Sequence, residues 1–295
     1  MTRFMRSLAI SSPAKLNLFL RVLGKRKDGY HELATLFHRI SLRDTLNLRK
    51  QKEGIRLFCS HPKVPIENNL IVRGFHLLKA ACPFSGGVTV RLRKKIPVGG
   101  GLGGGSSNAA TFLIAMNRLF RLGLSQRKLL EIGKRLGADV PFFLSGARQA
   151  LGRGRGDEIQ TLPFKGRLWF LLFPSGRGIS TAKVFAGFDT HSRRPRLTPI
   201  LRDARIATSF SDNRNLIRSE PLFVNDLTES AERIRPSLRK TRETLSDLHL
   251  GICRMSGSGP TLFMLFPSRQ IARRAFNEIR KRVRPVQPTL LCHSI

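Results

Sequence analysis

Pro97-Val98-Gly99-Gly100-Gly101-Leu102-Gly103-Gly104-Gly105-Ser106-Ser107-Asn108 separates an alternating stretch, Gly87-Leu92, from an apolar helical pattern that starts at about Ser106 and runs to Phe120. Glycine has no side chain to hold a ligand away from the backbone and tolerates turns other residues avoid. A run of it lets successive N–H groups approach an anion. The first turn of the following helix adds unpaired N–H groups and the positive end of the helix dipole. Ser106 and Ser107 can add hydroxyls as caps or as ligands of phosphate or metal. Together these parts predict a cradle for a polyphosphate.

Gly99-x-Gly101-x-x-Gly104 formally satisfies the dinucleotide fingerprint, but that fold needs an acid about 20 residues further on to hold a ribose. No Asp or Glu occurs between Asn68 and Leu130. The Walker loop requires Gly-Lys-Ser/Thr, and no lysine follows Gly105. A plain linker is disfavoured because the loop joins a strand pattern to a helix pattern. A Ser-His-Asp hydrolase is excluded by the lack of a Gly-x-Ser-x-Gly elbow in the right frame; Gly257-Ser258-Gly259 does not supply one.

Outward from the loop, Ser12-Arg21 reads as a strand with Lys15 and Asn17 projecting from one face. Gly24-Gly29 reads as a turn, and Thr45-Arg49 and Ile55-Cys59 as short strands. Helices are predicted over Asn69-Ala81, from the cap Ser125 to near Gly137, through Glu220-Leu248 and over Arg269-Val283. Gly152-Asp157 forms a second glycine-rich turn, and Leu168-Phe173 and Thr261-Phe266 are apolar strands. The basic, proline-containing stretch His191-Arg205 is expected to be the least regular. With 295 residues the chain should form two domains, divided near Gly146-Asp157.

Apolar residues make up 41% of the chain, enough for packed cores. Lys and Arg number 53 against 19 Asp and Glu, a formal charge of +34. That excess raises a nucleic-acid hypothesis, yet the basic residues are dispersed from Arg3 to Arg284, and one Tyr and one Trp make no stacking platform. No specific nucleic acid and no membrane partner is expected. Cys59, Cys82, Cys253 and Cys292 form no CxxC pair and read as buried free thiols of a reducing, cytoplasmic compartment, with no metal site.

Two charged groups stand out. Asp139, the one carboxylate between Ile132 and Gly156, follows a helix stop with Pro141 fixing the exit. It can accept a hydroxyl proton during phosphoryl transfer, or serve only as a turn residue. Lys15 in an apolar strand needs a partner or a ligand-facing position, unless it snorkels from an edge.

Ser12-Pro13-Ala14-Lys15-Leu16-Asn17-Leu18-Phe19-Leu20, Asp28-Gly29-Tyr30-His31, Ile96-Pro97-Val98 with the glycine loop, Gly137-Ala138-Asp139-Val140-Pro141 and Met255-Ser256-Gly257-Ser258-Gly259-Pro260 occur in that order. The set resembles the 4-diphosphocytidyl-2-C-methyl-D-erythritol kinases of the non-mevalonate isoprenoid pathway, within the GHMP kinase superfamily, from about Ser12 to the last helix. The resemblance implies an α+β fold of two domains: a ribosomal-protein-S5-like one over 1–155 and a ferredoxin-like one over 156–295, with the active site in the cleft. It implies ATP with Mg²⁺ as cofactors. Pro97, Val98, Gly99, Gly100, Gly101, Leu102, Gly103, Gly104, Gly105, Ser106 and Ser107 would hold the nucleotide, with Asn69 and Lys94 to Pro97 near the adenine. Asp139 would be the base and Lys15 its partner. Asn17, Tyr30, His31 and Phe185 would contact the substrate, the aromatics and His31 framing its cytosine. The alternatives are a sibling kinase acting on homoserine or mevalonate, and a basic nucleic-acid-binding module that keeps the fold.

Overall fold

The computed structural model describes residues 6–176, 178–191, 211–220, 223–283 and 289–295. The chain divides into two compact units. The first comprises Met1–Ala14, Leu42–Val98 and Gly103–Gly146, the second Lys15–Ser41, Gly99–Leu102 and Ala147–Ile295. Two long strands, β1 (Ser7–Lys25) and β2 (His31–Gln51), contribute to both.

In the first unit the end of β2, from Thr45 to Gln51, pairs antiparallel with β4 (Gly87–Arg93), which pairs parallel with β3 (Ile55–Cys59). Four helices pack together beside these strands: α1 (Leu70–Ala81), α2 (Gly104–Phe120), α3 (Gln126–Leu136) and α4 (Val140–Leu144). Ser125 caps α3 as the sequence predicts, and Asn69, placed by the sequence inside its helix, caps α1. Asn69 Oδ1 accepts from Ile71 N at 3.0 Å, and Ser125 Oγ accepts from Lys128 N at 3.3 Å. α2 is buried along most of its length, with Phe112, Leu113 and Met116 at zero exposure. Burying each such side chain is worth about 1.5–3 kcal/mol.

In the second unit, Thr35 to His38 of β2 pair with β5 (Gln149–Arg153), and β5 forms a hairpin with β6 (Glu158–Leu162) around the predicted glycine-rich turn. A separate antiparallel sheet runs β10 (Leu290–His293), β7 (Trp169–Phe173), β9 (Leu262–Phe266), β8 (Arg254–Met255). Its core contains Leu171, Phe173, Met255 and Met264, packed with residues of α5 (Thr181–His191), α7 (Thr228–Ile234), α8 (Pro236–Ser246) and α9 (Arg269–Arg282). A short helix, α6 (Asn213–Arg218), starts at Asp212, whose side chain accepts from Asn215 N.

Several expectations need correction. Thr45-Arg49 is the end of a 21-residue strand, not a short one. Glu220-Leu248 is not continuously helical. Asn225 turns the chain before α7, and Pro236 holds Arg235 at φ −136°, ψ 89°, between α7 and α8. α2 begins two residues earlier than Ser106, at Gly104. All four cysteines are free, but only Cys253 and Cys292 are buried; Cys59 and Cys82 are half-exposed. Apart from His191, which ends α5, the stretch His191-Arg205 lies outside the described residues.

Candidate active site

The first unit builds the start of α2 into an anion-binding end. Its N-cap, Gly103, adopts φ +67°, a left-handed conformation suited to glycine, and provides no capping side chain. No acidic residue lies in the first turn, so its positive end is uncompensated from within the helix. The backbone must come close there: a Cβ at Gly104 would lie 3.0 Å from Ile96 Cγ2 and 3.1 Å from Lys94 Nζ.

A buried polar network fixes this helix start. Asp44, fully buried in β2, accepts from Lys95 N at 2.7 Å and Ile96 N at 2.9 Å through Oδ1. Its other oxygen pairs with Lys94 Nζ and accepts from Asn108 Nδ2 at 3.0 Å. Asn108 Nδ2 also reaches Ser12 Oγ at 2.9 Å, Ser12 Oγ shares a hydrogen bond with Ser107 Oγ at 2.8 Å, and Ser107 Oγ donates to Pro13 O at 2.5 Å. Ser107 therefore spends its side chain inside the protein; Ser106 is only partly buried.

Asp139 follows Gly137 in the turn between α3 and α4. It occupies the N-cap position of α4 with φ −79°, ψ −14°, and its side chain makes no capping hydrogen bond. A Cβ at Gly137 would lie 3.9 Å from Ser106 Oγ, which puts the Gly137-Ala138-Asp139 turn beside the first turn of α2. Asn69 is the N-cap of α1, and its amide also donates to Pro65 O at 3.2 Å. Pro97 is half-buried and Val98 exposed.

The second unit holds the other half of the glycine loop. Lys15 N donates to Leu102 O at 3.1 Å, and Thr261 N to Gly100 O at 3.3 Å. Ser256 Oγ donates to Gly101 O and accepts from Asn17 N, both at 3.1 Å. Gly101 has φ +75°, and a Cβ there would fall 2.2 Å from Ser256 O; Gly99 likewise lies against Gly178. Lys15 and Asn17 are both buried and hydrogen-bonded to each other, and Asn17 Nδ2 donates to Thr35 Oγ1 at 2.7 Å. Gly257 comes up against this pair, since a Cβ on it would lie 3.1 Å from Asn17 Oδ1 and 3.4 Å from Lys15 Nζ.

The substrate candidates form a second cluster in the same unit. The His31 and Phe185 rings stack at 4.7 Å between centroids, with His31 Nε2 at 2.6 Å from Asp189 Oδ1. Tyr30 is 57% exposed, with the Arg155 guanidinium 5.0 Å from its ring centre. Sequence reasoning missed Asp44, Asn108, Asp189 and Asn225; the last donates through Nδ2 to both Met255 O and Gly257 O at 2.8 Å. The partners of these four lie far away along the chain, and no local spacing reveals them. Among the described residues, no group of three or more His, Cys, Asp or Glu is placed to hold a metal ion, and no helix is long and apolar enough to cross a membrane.

A bare helix start after a glycine loop, with a carboxylate-bearing turn beside it, defines a phosphoryl-transfer class, and the comparisons give the same class. Residues 69–147 match the GHMP kinases N terminal domain, and residues 204–284 match the GHMP kinases C terminal domain. The 4-diphosphocytidyl-2-C-methyl-D-erythritol kinase of Marinobacter nauticus is 39% identical over 270 residues, covering 90% of this chain and 88% of the relative. That of Syntrophus aciditrophicus is 40% identical over 271 residues, covering 91% and 93%. A crystal structure of 4-(cytidine 5'-diphospho)-2C-methyl-D-erythritol kinase superposes with a TM-score of 0.77 at 34% identity, over 98% of this chain and 100% of that one. A homoserine kinase from Cytophaga hutchinsonii, 17% identical with a TM-score of 0.70, shares the fold. The chain belongs to the 4-diphosphocytidyl-2-C-methyl-D-erythritol kinase family of the GHMP kinases.

Proposed function

We propose that this protein transfers the γ-phosphoryl group of ATP to the 2-hydroxyl of 4-diphosphocytidyl-2-C-methyl-D-erythritol, in the non-mevalonate route to isoprenoids. The observation that carries the chemistry is the Gly137-Asp139 turn set beside the uncapped, acid-free start of α2. In this reading the N–H groups of Gly103 to Ser106 hold the phosphate oxygens, and the rest of the loop from Pro97 to Ser107 lines the nucleotide. Asn69 and the Lys94-Pro97 segment flank the base, and residues 1–155 and 156–295 are the two kinase domains.

Asp139 orients the alcohol and takes its proton as the new O–P bond forms and the bond to the ADP oxygen breaks. Lys15, held by Asn17, offsets negative charge on the transferred group. Asn17 and Tyr30 contact the substrate, and His31 and Phe185 hold the cytosine. The residues present suit Mg²⁺, a cation that keeps several waters and takes few protein ligands. Ser106 and the phosphates would hold it, and it would neutralise phosphate charge. The protein works in the cytoplasm, without a specific nucleic acid or a membrane as partner.

A panel of acceptors, with ADP release coupled to a dehydrogenase readout, tests the assignment. Turnover is expected with the cytidine-bearing alcohol and not with mevalonate or homoserine. The reverse pattern would move the chain to a sibling activity.

A further inference from the structure

Asn225 forms a clamp that no local motif marks. Its Nδ2 donates to Met255 O and to Gly257 O, both at 2.8 Å, and its Oδ1 accepts from Leu227 N at 3.0 Å. A backbone N–H can only donate, so the Leu227 contact fixes the amide orientation and leaves the NH₂ group for the two carbonyls. The seat of Asn225 is β1, the strand that carries Lys15 and Asn17. Leu20 of β1 donates to Val224 O and accepts from Asp226 N, both at 2.9 Å, and Asp226 Oδ2 accepts from Val22 N at 2.9 Å. Asn225 therefore ties the turn after β8 to β1.

The two clamped carbonyls flank Ser256, and they differ in what else holds their neighbourhood. Ser256 N donates to Thr261 O at 3.0 Å, its carbonyl accepts from Gly259 N at 2.9 Å, and its hydroxyl bonds Gly101 O and Asn17 N. Gly257 has φ +59° and, among the described residues, no hydrogen bond other than the one from Asn225. It lies against the amine: a Cβ there would fall 3.4 Å from Lys15 Nζ and 3.1 Å from Asn17 Oδ1. Lys15 Nζ donates to that same Asn17 oxygen. Asn225 thus sets how closely Gly257 presses on the Lys15–Asn17 pair, while Ser256 keeps anchors of its own on the glycine loop.

We propose that Asn225 is a positioning residue for phosphoryl transfer: by clamping Gly257 to β1, it holds the Lys15 ammonium in the place from which it acts. The inference rests on the role given above for Lys15. A cation that offsets transition-state charge is effective only from a fixed position, and a misplacement of about 1 Å can cost about a hundredfold in rate. ATP binding rests on the loop and the start of α2, so the clamp serves the chemical step.

Asn225→Asp is the sharpest variant. It keeps the size of the side chain and the acceptor for Leu227 N, and it sets a carboxylate oxygen against two carbonyl oxygens where two N–H bonds stood. Steady-state kinetics on the full chain should show kcat lower by about tenfold to a hundredfold, with the KM for ATP nearly unchanged. The same substitution is then made in Lys15→Ala. There it should lower the residual kcat by no more than about twofold, because changes that act through one interaction are not additive. Gly257→Ala, which crowds the pair from the loop side, is the second variant. Its loss in kcat should likewise shrink without Lys15, and it decides the matter if Asn225→Asp does not fold. Equal losses in both backgrounds, as a merely structural role would give, overturn the proposal, as does a raised KM for ATP with kcat retained. Lys15→Ala with a wild-type kcat would instead remove the role of Lys15 on which the proposal rests.

Discussion

Replacing Asp44 by alanine should be among the most damaging single changes in the first unit. Its carboxylate is fully buried, and the Lys94 side chain it pairs with is 6% exposed. Truncating one member of a buried ion pair strands the other charge and costs about 3–5 kcal/mol. It also strips the acceptor from Lys95 N and Ile96 N. A domain of ordinary stability has about 5–15 kcal/mol in total, so the loss is a large fraction. Urea denaturation followed by circular dichroism measures it. The double variant Asp44→Ala/Lys94→Met removes the stranded charge and should recover part of the loss, leaving about 1–3 kcal/mol for the two unpaired backbone groups. Because the same network anchors Asn108 and Ser107 at the start of α2, the single variant should also raise the KM for ATP more than it lowers kcat. A cost below about 1 kcal/mol for Asp44→Ala, or a double variant no better than the single one, would refute the reasoning.

Asp139→Asn keeps the side-chain shape and removes the base, so kcat should fall by about 10²–10⁴-fold while ATP affinity by calorimetry stays nearly constant. Gly101→Ala combines a positive φ with a Cβ 2.2 Å from Ser256 O, and should cost about 1–3 kcal/mol from packing beyond the backbone strain. Gly123→Ala, at φ +65° with nothing within 4 Å, isolates that strain, and comparing the two melting temperatures separates the terms. Stability against pH should show two opposed slopes. Burial pushes Glu220 up to about 7 from 4.5, so the folded state binds its proton more tightly and this contribution falls as pH rises across that window. Burial pushes His38 down to about 4 from 6.5, so the unfolded state binds more protons and this contribution rises with pH between those values. Denaturation of Glu220→Gln at pH 4.5 and 6.5 should expose the rising His38 slope alone; a flat profile would contradict the assignment.

The legible part of the fold was the part written in local chemistry. The glycine loop before an apolar helix, the cap at Ser125, and the apolar run of β9 each depend on neighbours a few residues away. The first half of β2 was missed because Thr35 and His38 are polar yet buried there, hydrogen-bonded to Asn17 and, through His38 Nδ1, to Gln149 across the sheet. α5 was missed because Thr181-Lys183 and Gly187 weaken its helical signal, and packing on Leu227 and Ala231 compensates. Within the candidate site, Lys15, the loop and Asp139 were candidates by residue type and spacing, and Asn17 by the family resemblance. Asp44, Asn108, Asp189 and Asn225 each have partners 30 or more residues away, and only the folded chain brings those together.

The most direct test of the kinase assignment is ³¹P NMR of the purified protein incubated with ATP, Mg²⁺ and the cytidine-linked methylerythritol. A new phosphomonoester resonance, with the diphosphate signals of the substrate retained and ADP formed in equal amount, is the predicted result. An untouched substrate under conditions where the same preparation phosphorylates homoserine or mevalonate would contradict it.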